Sequence, residues 1–354
     1  MRMKTFSKTL AATIAVLGLL LLPGVSQAVT TLKLGHTGAP DHHYQIGAQM
    51  FADNVAKRTN GEIEIKIFPS DQLGKQKQLV SQAQLGQTDM VLTSDAVISS
   101  FVPIFGVLNL PFIFKDINHV SKAMDGEVGA MLSKEAAKKG LVVLGYWENG
   151  FRHITNNKRP IKVPADLKGI KLRTPESKLV MESFKALGAS PTPMSFGDIY
   201  SALQLGTVDG QENPIAHLLA QKWYEVQKYL SLTGHQHYVE PLLMSKVRFE
   251  KLSPEHQKIL LEEAQKVAIE IRKLATQDEE KKLAEVKKHM EVNDVPDKQP
   301  FKDAVKPVYD QTRKQFGNDI FDMLAAAAKY LQEYRPGVRA PARSPKGLGG
   351  IWDC

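Results

Sequence analysis

The stretch Glu62–Phe68, EIEIKIF, alternates strictly, with Ile63, Ile65 and Ile67 on one face, and the segments on either side of it do not alternate. Before it, Tyr44–Val55 places Ile46, Met50, Phe51 and Val55 at helical spacing; after it, Lys75–Leu85 reads as a helix closed by Gly86. A strand set between two helices limits the chain to an α/β arrangement and argues against separate all-α and all-β parts. Thr31–Leu34, Met90–Leu92 and Leu141–Trp147 read as further strands. A second α/β unit begins near Gly150. In it, the strand Ile170–Arg173 is stopped by Pro175, and the helices Lys178–Leu187 and Gly197–Leu205 are ended by Gly188 and Gly206. Thr207–Glu212 then runs out towards Pro214.

From Ser253 the pattern turns wholly helical. Ser253 suits an N-cap and Pro254 the first helical position. Leu260, Ala264, Val267, Ile271 and Leu274 follow at steps of three and four, and Leu283, Val286 and Met290 resume them. An unbroken helix here would be ~55 Å long and would brace the whole molecule; a break near Thr276–Glu280 fits the sequence equally well. The last residues, from Arg335, are rich in Pro and Gly without periodicity and are expected to be disordered.

At the other end, Arg2, Lys4 and Lys8, the apolar run Leu10–Leu22 and Ser26-Gln27-Ala28 have the three parts of a secretory signal peptide, with cleavage expected after Ala28. The run is shorter than the roughly 20 residues that span a bilayer. An exported, periplasmic protein follows. Its one cysteine, Cys354, allows no intramolecular disulfide and excludes cysteine-based clusters. The 46 Lys+Arg and 38 Asp+Glu are interleaved, which speaks against nucleic-acid binding.

The polar residues next to apolar runs point to an anion pocket. Arg173 falls at a strand end, where ligand sites of α/β sheets form, and its planar fork of donors matches a carboxylate. The competing reading is an ion pair or a solvated strand-end charge. Arg152 follows a turn at Glu148-Asn149-Gly150 and reaches towards the same cleft, with Glu148 as a candidate neutralising partner. Asn213, held extended by Pro214, offers a donor and an acceptor. Phe196, Trp147 and Tyr44 are candidate cleft aromatics, although aromatics at such spacing more often sit in the core. Asp41-His42-His43 resembles a metal triplet only superficially, and no metal or cofactor is expected. G-x-S-x-G, H-E-x-x-H, Walker A and strand-linked G-x-G-x-x-G motifs are all absent.

The segments GFRHITN from Gly150, DLKGIKLR from Asp166, GASPTPM from Gly188, and ALQ…VDGQENP ending at Pro214 resemble the DctP-type solute receptors of tripartite ATP-independent periplasmic (TRAP) transporters. The resemblance runs in order from about Thr31 to about Tyr330. It implies a two-lobed periplasmic-binding-protein fold with hinge strands. In that frame 1–28 is the signal peptide, and 29–150 is lobe I, with a returning segment at about 239–275. Residues 151–238 form lobe II, 253–334 a helical region bracing both lobes, and 335–354 the tail. The resemblance also implies capture of an organic acid by hinge closure and its delivery to the subunits of a sodium-driven membrane permease, without catalysis. By the same resemblance, Arg173 matches the carboxylate clamp, Arg152 and Asn213 match pocket-lining residues, and Phe196 matches an aromatic beside the ligand. His43, Tyr44 and Ser94-Asp95 match the variable side of lobe I. The acid stays open among dicarboxylates, sugar acids, sialic acids and keto acids, and a monomer suffices. A sensor protein for a membrane receptor, or an exported sugar-acid enzyme, would use the same features.

Overall fold

The computed structural model describes residues 29–333 apart from Asp278; the signal-peptide and tail readings lie outside the described residues. The strands are β1 (Thr30–Gly35), β2 (Ile63–Phe68), β3 (Met90–Leu92), β4 (Leu141–Asn156), β5 (Lys171–Thr174), β6 (Ser190–Pro193), β7 (Gly210–Asn213), β8 (Tyr229–Ser245) and β9 (Glu291–Asp294). They form one sheet in the order β2-β1-β3-β8-β4-β7-β5-β6, with β9 pairing β8.

Two similar units flank a central ribbon. In the first, β1 lies between β2 and β3, parallel to both; in the second, β5 lies between β6 and β7, again parallel to both. Each unit closes with the same device, which no sequence repeat advertised. Leu85-Gly86-Gln87-Thr88-Asp89 and Leu205-Gly206-Thr207-Val208-Asp209 both end a helix at a glycine of positive φ, +71° and +70°. Each aspartate then accepts from a lysine amide of its unit's central strand: Asp89 from Lys33 at 2.8 Å and Asp209 from Lys171 at 2.9 Å.

The ribbon is β4 against β8, antiparallel from Leu141↔Ser245 to Asn156↔Tyr229. At one end β8 pairs with β3 (Met90↔Met244), and at the other β4 pairs with β7 (His153↔Asn213). The ribbon therefore carries one unit into the other as a pair of hinge strands. Its register slips three times, and the central slip falls at Glu148/Gly150, where Gly150 takes φ +125°. A bulge there bends the ribbon between the lobes.

The long C-terminal helix is broken. Pro254–Thr276 packs on β4 and on the helix His43–Arg58, while Glu279–Val286 packs on the helix Ile215–Ala220 of the second unit. The bracing role is thus shared by two helices rather than one rod. Separate apolar cores sit under each unit: Phe51, Val55 and Trp147 in the first, and Leu172, Phe184 and Ile161 in the second. No described helix is long and apolar enough to cross a membrane.

Candidate ligand-binding site

A cavity lies where the two units meet beside the ribbon. The first unit contributes Thr37, Tyr44, Gln76 and Ser94, and β4 contributes Asn149 and Arg152. Opposite them stand Arg173, Pro175, Phe196, Asn213 and His217, with Tyr238 of β8. It holds about 310 Å³ of atom-free space, the open mouth included. Polar contacts close the mouth: Lys75 Nζ meets Asp198 Oδ2 at 2.5 Å, Lys77 Nζ meets Glu176 Oε1 at 3.5 Å, and the Ser99 and Ser177 hydroxyls are 3.0 Å apart.

Arg173 sits on β5, 2% exposed. Its Nε and Nη2 both donate to the Met194 carbonyl, at 3.0 and 2.6 Å. No carboxylate lies within ion-pair distance of it among the described residues. Burial, only partly offset by the more distant Glu212 charge, pulls its pKa down to about 10. A buried guanidinium with donors to spare and no counter-charge is a site waiting for an anion.

Arg152 is built the opposite way. The β4–β7 register sets Ile154 against Glu212, bringing the Glu212 carboxylate under the guanidinium. Arg152 Nε donates to Oε2 at 2.6 Å, and Nη2 donates to Oε1 at 3.0 Å and to the Glu212 carbonyl at 2.7 Å. Nη2 also reaches Asn213 Oδ1 at 2.9 Å, Nη1 reaches Asn149 Oδ1 at 3.0 Å, and the Tyr238 ring covers one face at 4.0 Å. Burial alone would raise the Glu212 carboxyl, but Arg152 and His235 hold it at about 2. The neutralising partner is therefore Glu212, not Glu148. Glu148 instead meets His237 Nε2 at 2.5 Å.

Tyr44 joins the same network from the first unit. Its hydroxyl donates to Glu240 Oε2 at 2.8 Å and accepts from Asn149 Nδ2 at 2.7 Å. Burial lifts the Glu240 carboxyl to about 8, although Asn149 and Tyr44 both oppose the shift. Phe196 packs edge-on to His217 and Trp223 at the second unit's rim. Burial holds the His217 imidazole well below its usual range, so it stands in the cavity uncharged.

Five of the expected residues thus line the cavity together: Arg173, Arg152, Asn213, Phe196 and Tyr44. Three do not. Trp147 is fully buried in the first core, edge-on to Phe51, with its indole donating to the Ala264 carbonyl at 3.0 Å. His43 lies behind Tyr44, its Nε2 3.0 Å from the Glu148 carbonyl. Asp95 is fully buried and accepts from Asn109 Nδ2 at 2.9 Å and the Val239 amide at 3.2 Å, tying the first unit to β8; its neighbour Ser94 faces the cavity instead. His42 caps the helix His43–Arg58 by accepting from the Tyr44 amide at 3.2 Å. Among the described residues, no group of three or more His, Cys, Asp or Glu side chains is placed to hold a metal.

Residues 34–315 match the profile of DctP, the bacterial extracellular solute-binding protein family 7. The chain belongs to this family. It is 38% identical over 319 residues to the 2,3-diketo-L-gulonate-binding periplasmic protein YiaO of Escherichia coli K12, covering 90% of this chain and 96% of that one. A TRAP periplasmic solute-binding protein from Polaromonas sp. JS666, solved with D-erythronate, superposes with a TM-score of 0.81 at 42% identity, over 84% of this chain and 98% of that one. The sugar-acid-binding protein DctPAm of Advenella mimigardefordensis, solved with galactonate, gives 0.82 at 33% identity, over 85% and 98%. The two-lobed α/β fold and the TRAP solute-binding class read from the sequence both stand. DctP-family proteins are substrate-binding proteins, and the cavity between two lobes fits that work.

Proposed function

We propose that the protein is a periplasmic receptor that clamps the carboxylate of an organic acid on Arg173 as its two lobes close, and hands the acid to a sodium-coupled TRAP membrane permease. One observation carries the reading: Arg173 is buried in the cavity with donors free and no carboxylate partner. Charge-assisted hydrogen bonds contribute about 1.5–3 kcal/mol each, and each 1.4 kcal/mol is roughly tenfold in affinity, so a two-pronged clamp sets most of the binding strength. Arg152, Asn213, Phe196 and Tyr44 shape the rest of the pocket. Lobe I corresponds to 29–150 with the returning segment near 239–275, lobe II to 151–238, and the boundary falls at the Gly150 bulge. Cleavage after Ala28, action as a monomer and the absence of turnover complete the proposal.

A thermal-shift panel of sugar acids, keto acids, dicarboxylates and neutral sugars tests it, because a ligand held only by the folded state raises the melting temperature. Acids are expected to stabilise the protein, neutral sugars to leave it unmoved, and the acid to be recovered unchanged after long incubation. Stabilisation by neutral sugars alone would overturn the clamp.

A further inference from the structure

The charges facing the cavity are few enough to count, and the count selects among acids. The lining holds two guanidiniums, Arg152 and Arg173, and no lysine. Glu212 takes two N–H groups of Arg152 side-on with its carboxylate, and the charge of Arg152 is spent on it. His217 is neutral, as its burial requires. One uncompensated positive charge is left, on Arg173. The remaining polar surface (Thr37, Tyr44, Gln76, Ser94, Asn149, Asn213 and Tyr238) is neutral and able to donate or accept.

We infer that this cleft selects monocarboxylates bearing neutral hydroxyl or keto groups over dicarboxylates, and that Glu212 enforces the choice by occupying Arg152. The inference rests on the reading of the cleft as an acid-binding site. A second carboxylate in the closed cavity would be buried without a counter-charge, opposite neutral amides and hydroxyls. A buried anion is tolerated only when paired, so each diacid should bind at least about 100-fold more weakly than its monoacid twin. Hydroxyl groups, by contrast, satisfy the amide and hydroxyl lining without adding charge.

Isothermal titration with pairs that differ only at the far carbon tests this: erythronate against meso-tartrate, galactonate against galactarate, and 4-hydroxybutyrate against succinate. At least one monoacid should bind, and its dicarboxylate partner should bind at least about 100-fold more weakly. Glu212→Gln frees Arg152 and should move that ratio towards the diacid by at least about tenfold. Circular dichroism on the variant confirms that it folds; if it does not, the wild-type ratios decide alone. A diacid that binds the wild type as tightly as its twin, with Arg173→Met abolishing both, overturns the charge count and leaves the acid receptor standing. Failure of every acid in a wider carboxylate panel, with a neutral polyol binding instead, overturns the receptor reading and this inference with it.

Discussion

A guanidinium buried without a carboxylate is a cost to folding. Arg173 bears that cost: the pull on its pKa down to about 10 means that burial disfavours its charged form. Because the folded value lies below the ordinary one, the charge lowers stability throughout the range below about pH 10. On the proposed clamp role, a residue kept in that state serves binding rather than stability. Arg173→Met is therefore expected to raise the melting temperature of the ligand-free protein while abolishing acid binding. Arg173→Lys should fold normally yet bind roughly 10- to 100-fold more weakly, since a point charge cannot reproduce the fork. Calorimetry of both variants checks the pair, and near-equal affinity in the lysine variant would make Arg173 structural. Arg173 was legible because a strand end followed by Pro175 fixes where its side chain starts. The Arg152–Glu212 pair was not: Glu148 is nearer in sequence, and only the register of β4 on β7 brings Glu212 under Arg152. Trp147 misled for a related reason. It sits on β4 among cleft residues, but the alternation of a strand turns it to the opposite face from Tyr146, into the core beneath the sheet.

At the scale of elements, the short edge strand β2 was readable because its apolar alternation is strong. β8, the longest strand at 17 residues, was not. It carries Thr233-Gly234-His235-Gln236-His237, residues that ordinarily mark a loop, and buries nearly all of them because the site's hydrogen-bond network runs through it. β4 was cut short at Trp147 for the same reason, since Glu148 and Asn149 interrupt the apolar run, Glu148 staying in the ladder and Asn149 standing at the bulge. Chemistry overrode pattern where the strands enter the cleft. The short helical turn Phe196–Asp198 offers a test at this scale. A Cβ on Gly197 would stand 2.5 Å from Asp71 Oδ2, a contact that crosses the cleft from the second unit to the first. Gly197 is absent from the positive-φ glycines, so its backbone admits alanine and only the cross-cleft contact suffers. Asp71 has little room to yield: it is itself at φ +61°, and its Oδ1 is already buried without a partner. Gly197→Ala should weaken ligand binding on the order of tenfold and leave the melting temperature of the ligand-free protein unchanged. Equal loss of ligand-free stability would place the strain within one lobe instead of between the two.

Across the whole molecule, the question is what holds the lobes together. The ion pairs over the mouth are exposed: the side chains of Lys75 and Asp198 are each 47% accessible, and Lys77–Glu176 is similar. Such pairs contribute little in water and less in salt. Most of the apolar core belongs to one unit or the other, although Ala96 joins the second unit's core and Leu179 packs against the first's. The cavity, by contrast, draws Tyr44 and Gln76 from one unit and Arg173, Phe196 and Asn213 from the other. A ligand touching both sides interacts fully only with the closed form, and that differential affinity is what shifts the equilibrium. The bend it requires is available at the Gly150 bulge, where both hinge strands cross between lobes. Small-angle scattering should therefore show a smaller radius of gyration with saturating acid than without. Arg173→Met should stay at the larger value at the same acid concentration, because the clamp that rewards closure is gone. Wild-type profiles that coincide with and without ligand would mean that the lobes stay together on their own, and that the permease would have to recognise something other than closure.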